Sequence, residues 1–92
     1  MRYVPSRVSE VQDFLGYLVL TLPDFFEPEE EMDLERAFDL LMEGLEIVKP
    51  KIGDAKFNKL FVLLGESRDL YRSGDDRGGG FKLQDMKDVL RT

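Results

Sequence analysis

A chain of 92 residues is long enough for one domain with one core and too short for a second. It contains no histidine, cysteine or tryptophan, which excludes disulfides, thiol nucleophiles, imidazole bases and metal sites built on Cys or His. With 42% apolar residues, 35% charged residues and a formal charge of -6, it has the composition of a globular domain that repels nucleic acid and anionic membranes.

The N-terminal segment MRYVPSRVSEVQDF lacks the apolar core of a signal peptide, and no apolar run approaches a membrane span, so a cytoplasmic protein is expected. The whole chain, 1–92, reads as a single helical domain. After Pro5 and Ser6, a first helix is predicted over about 7–21. Val8, Val11, Leu15, Leu18 and Leu22 recur there at spacings of three and four, which lays one apolar stripe along a helix. Leu22-Pro23 should end it, because the residue before proline is pushed out of helical dihedrals.

A second helix is predicted over about 28–48, opened by Pro28 and by acids suited to the positive end of the macrodipole. Leu34, Phe38, Leu41, Leu45 and Val48 form its seam, and Ala37, Leu40, Gly44 and Ile47 form an adjoining stripe. A face that wide implies a central helix or one that meets another chain. Lys49-Pro50 should stop it. Asp54 then caps a third helix, about 55–72, with Phe57, Leu60, Phe61, Leu64 and Tyr71 on its buried side. The run Leu60 to Leu64 is apolar all round, as if covered from several directions. Residues 73–80, SGDDRGGG, read as a flexible glycine-rich loop, and a last short helix is expected over about 82–91, carrying Leu83, Met86 and Leu90. The fold class is therefore all-α, a four-helix antiparallel bundle or an orthogonal helical array.

Charge is distributed unevenly along this plan. Residues 24–48 hold ten acids and one arginine, a net -9, whereas 49–65 carry +3 and both ends sum to zero. The densest stretch, Asp24 to Glu35, has seven carboxylates in twelve residues. One or two acids complement a helix start. Seven repel one another, by up to ~1 kcal/mol per close pair in water, unless cations lie opposite. The plain reading is a solvated helix start; the functional reading is a surface for a basic partner. Phe25 and Phe26, placed between Pro23 and Pro28, supply an apolar anchor for such a contact, or else close the end of the bundle as a staple. The candidate contact set is Asp24, Phe25, Phe26, Glu27, Glu29, Glu30, Glu31, Asp33 and Glu35.

Catalytic readings find little support. Gly78-Gly79-Gly80 is followed by Phe81-Lys82 and not by the Gly-Lys-Ser/Thr of a phosphate loop, and Asp75-Asp76 lacks the calcium-loop spacing. Surface carboxylates without a cleft do not acquire the separated pKa values that acid-base chemistry needs. The expectation is a non-enzymatic protein-binding domain without cofactor or metal. In size, charge and helicity it is similar in character to the small acidic immunity proteins that protect bacteria from their own nuclease toxins. That resemblance implies an inhibitor that covers a basic groove, carboxylates standing where phosphates would lie, and it transfers no residue roles. The alternative is a homo-oligomeric structural or adaptor module that pairs through Leu40, Gly44 and Ile47.

Overall fold

The structure, a computed structural model, describes residues 4–22 and 33–92. They form four helices and no strand: α1 (Val8–Thr21), α2 (Leu34–Ile52), α3 (Asp54–Arg72) and α4 (Asp76–Arg91). The chain is all-α. Each helix packs on the next and α4 returns to α1, so the four close a ring around one core. The radius of gyration, 12.3 Å, is that of a compact domain of this length.

The apolar spacings read from sequence place the core. Val11, Leu15 and Leu18 of α1, Leu41 and Leu45 of α2, Leu60 of α3, and Leu83 and Met86 of α4 are all fully buried. In α1 the chain enters through Ser6, whose backbone N–H and hydroxyl both donate to Glu10 Oε1, at 2.9 and 3.0 Å. This ties the first turn to the residue that precedes it. Gly44 of α2 receives Pro5 so closely that a Cβ there would lie 2.7 Å from the proline ring. The lead into α1 is thus pressed against α2.

Three expected boundaries differ. The described part of α2 starts at Leu34, where Asp33 caps it by accepting the Arg36 N–H at 2.8 Å; positions 28–32 lie outside the described residues. At its other end α2 runs through Pro50 to Ile52. Proline inside a helix removes one hydrogen bond and crowds the preceding turn. Here the ring is exposed in the last turn, Ile52 packs against the core, and the Gly53 N–H closes the helix on Lys49 O at 2.9 Å. Gly53 has φ 89°, which glycine adopts without strain, and α3 begins at the next residue.

The third correction concerns the loop expected over 73–80. Only its first part is irregular, for α4 begins at Asp76 and contains all three consecutive glycines. Asp75 caps it, accepting the Gly78 N–H at 2.9 Å. Glycine is a poor helix former, and packing overrides that preference. Gly79 is buried under the Tyr71 ring, where a Cβ would lie 2.5 Å from ring carbon. The hydroxyl of fully buried Ser67 donates to Gly79 O at 2.8 Å. The glycines let α4 approach α3 at its N-terminal turn, which fixes the α3–α4 hairpin. Lys82 to Glu66, at 3.5 Å, and Lys56 to Thr92 O, at 2.6 Å, continue that antiparallel contact down its length.

Candidate functional site

The acidic candidates divide into two groups. Asp24, Phe25, Phe26, Glu27, Glu29, Glu30 and Glu31 lie outside the described residues. Asp33 and Glu35 are described, and both have intramolecular work. Asp33 is the α2 cap. Glu35 accepts from Arg72 Nε at 2.8 Å through one oxygen and from a terminal guanidinium nitrogen through the other. This fork joins the start of α2 to the end of α3. The hydrogen bond from Arg72, aided by the charges of Arg72 and Arg68, holds the Glu35 carboxyl below its ordinary value of 4.5.

A carboxylate whose pKa falls on folding contributes stability above its unfolded pKa and loses that contribution as pH falls through the folded value. Glu35→Gln should therefore be less stable than wild type near neutrality, and the gap should close as the pH drops below about 4.5. Urea midpoints of the two proteins across that range check this. A gap that persists into acid would mean that the ion pair contributes nothing.

The three residues of the alternative oligomer face do not form a free surface. Leu40 is 3% exposed and Gly44 is buried against Pro5 and Val11, so this chain already covers them. Ile47 alone is exposed, at 50%. The apolar stripe on α2 is wide because α2 has two neighbours, α1 and α3, within the domain.

Among the described residues the exposed large apolar side chains are Leu20 at 79% on α1, Ile47 on α2, Phe81 at 59% on α4 and, on α3, Phe61 and Val62, which the sequence reading placed inside. Phe61 is 52% and Val62 57% exposed. The buried positions Phe57, Leu60, Leu64, Ser67 and Tyr71 follow the usual stripe, and at 100° per residue Phe61 falls at its edge and Val62 on the opposite side. Phe61 leans on Phe57, with ring centroids 6.3 Å apart. The Lys49 ammonium covers Phe57 at 4.6 Å. Asn58 and Ala55 are exposed beside the pair, and among the described residues nothing beyond its own helix backbone and chain neighbours comes within 4 Å of where a Gly65 Cβ would stand. The outer surface of α3 therefore combines Phe61 and Val62 with Ala55, Asn58 and Gly65, with Lys59 and Glu66 on one flank and the exposed carboxylate Asp69 at its C-terminal end. The signal was present in the sequence: an unbroken run of five apolar residues is wider than the two neighbouring helices, α2 and α4, can cover.

Among the described residues no group of three or more acids is arranged to hold a metal ion, and no helix is long and apolar enough to cross a membrane. A shallow open depression lies along the outer edge of α2 between Arg36, Asp39, Leu40 and Glu43. No family model matches the chain, and neither a curated protein nor a solved structure is similar to it.

Proposed function

We propose that this chain is a small acidic protein-binding domain that acts by contact and not by catalysis. The exposure of Phe61 and Val62, side by side on the outer surface of α3, carries this reading. Adjacent large apolar side chains presented to water on a domain this small are the usual mark of a contact surface. The acid-rich segment Asp24 to Glu35 is the second element. With a net charge of -9 over residues 24–48 it would steer a basic protein toward the domain, as an inhibitor of the immunity type would require. Within that segment Asp33 and Glu35 also serve the fold.

The two elements separate experimentally. Phe61→Ser combined with Val62→Ser should leave the unfolding free energy within about 0.5 to 1 kcal/mol of wild type, as for other surface changes, and should remove protein association by at least about tenfold, the loss of one hot spot. Contact driven by the acidic segment should instead weaken steeply as salt is raised, with little response to the double serine change. If the double variant unfolds readily, the two side chains are part of the core and the reading fails.

A further inference from the structure

We propose that the outer face of α3 pairs with the same face of a second copy of this chain, antiparallel, about a twofold axis at Val62. The proposal rests on the protein-binding reading above and names the partner of that surface. Three observations lead to it.

The first is the arrangement of charge along α3. On one flank of the exposed strip Lys59 lies in the N-terminal half of α3 and Glu66 in the C-terminal half, while Arg68 and Arg72 lie toward the other flank, where Arg72 is engaged by Glu35. Lys59 and Glu66 are two turns apart, so they share one flank of the exposed strip. A twofold axis perpendicular to the helix keeps each flank facing its own copy and reverses its direction. In a pair centred on Val62, Asn58 then opposes Glu66 and Lys59 opposes Gly65, which puts Lys59 of each copy within reach of Glu66 of the other. A parallel pair would turn opposite flanks toward each other and so would not bring Lys59 to Glu66. Lys82 already holds the Glu66 carboxylate at that rim, 3.5 Å away, and Lys59 of the second copy would be its second cation.

The second observation is Gly65. A glycine in a helix interior is unfavourable by about 1 kcal/mol relative to alanine, and among the described residues nothing beyond its own helix backbone and chain neighbours lies close enough to require it. Long side chains on a helix lean toward its N-terminus. Across an antiparallel pair, the Phe61 ring of one copy therefore leans toward Gly65 of the other, where the missing Cβ leaves a notch. The third observation is the exposure itself: Phe61 and Val62 are 52% and 57% exposed and Asn58 is exposed beside them, and the two-fold operation covers all three at once.

The strip from Ala55 to Asp69 is about 21 Å long, and one helix face buries less than a standard interface does. The pair is thus a weak dimer, expected to form at micromolar concentrations or above. Sedimentation velocity of the full chain from about 5 to about 500 µM tests it. The wild type should pass from monomer to dimer across that range. Lys59→Glu and Glu66→Lys should each dimerise at least about tenfold more weakly, the effect of setting like charges together. An equal mixture of these two variants should regain association, because each new carboxylate then meets a new ammonium across the pair. Gly65→Ala should raise the melting temperature while weakening the dimer. Circular dichroism of each variant separates loss of pairing from loss of fold. A wild type that stays monomeric throughout overturns self-pairing, and a mixture no more associated than its components overturns the antiparallel register. Binding to a different protein that the double serine change abolishes would leave the broader reading standing in either case.

Discussion

Phe38→Ala should cost about 3 to 5 kcal/mol, the range for removing a buried aromatic ring. Phe38 is 1% exposed and stands in α2 against Tyr71 of α3, ring centroids 6.0 Å apart and planes inclined by 55°. A tilted aromatic pair contributes about 0.5 to 1.5 kcal/mol beyond the area it buries. Truncation removes both contributions and leaves a cavity that the surrounding core can fill only in part. A domain of this size has a total stability of about 5 to 14 kcal/mol, so the loss is a large share of the whole. Urea unfolding should show a lower midpoint with an unchanged slope. A loss below about 1 kcal/mol would mean that α2 and α3 do not meet as described.

The second large effect is a contrast between adjacent residues. Alanine in place of glycine ordinarily strengthens a helix by about 1 kcal/mol. At Gly80 the added Cβ would lie 3.5 Å from the Tyr71 hydroxyl oxygen, an ordinary contact, so Gly80→Ala should be neutral or stabilising by up to about 1 kcal/mol. At Gly79 the same atom would lie 2.5 and 2.6 Å from two ring carbons of Tyr71. That ring is itself held by Phe38 and cannot easily retreat. Overpacking costs about 1 to 3 kcal/mol and here exceeds the propensity gain, so Gly79→Ala should destabilise by about 1 to 2 kcal/mol. Equal gains at both positions would restore the picture of a loose glycine loop.

The contrast also shows where sequence reasoning succeeded and where tertiary packing decided. Spacings of three and four identified α1, the seams of α2 and α3, and Leu83, Met86 and Leu90 of α4, because burial of one helix face leaves a periodic trace. Proline and glycine misled at two boundaries. Their local penalties, about 3 kcal/mol for proline and about 1 for glycine, were offset by Ile52 docking at one end of α2 and by Tyr71 and Ser67 closing on Gly79 in α4. Apolar width was read correctly as a sign of extra contact on α2, but the neighbour is α1 and the buried residues are Leu40 and Gly44. On α3 the same width continues past what α2 and α4 cover, and it ends in water at Phe61 and Val62.

The charge pattern was legible as composition and only partly as function. Counting residues showed one strongly acidic stretch, but could not show that Glu35 meets Arg72 across 37 positions of chain. Ion pairs between distant residues leave no periodic trace. Lys56 likewise bonds Thr92 O, a contact invisible before α4 is placed beside α3. Asp39 and Glu46 of α2 are exposed acids. These are distinct in sequence from the apolar strip on α3.

The central claim, that the outer surface of α3 is where this protein makes contact, is tested most directly by amide chemical shifts of the full chain recorded from about 10 to about 500 µM, a range suited to weak association. Shifts that move with concentration should map to Ala55, Asn58, Phe61, Val62, Gly65 and Asp69, and should vanish in the Phe61→Ser, Val62→Ser protein. Concentration-independent spectra, or movements confined to α1 and the exposed edge of α2, would contradict it.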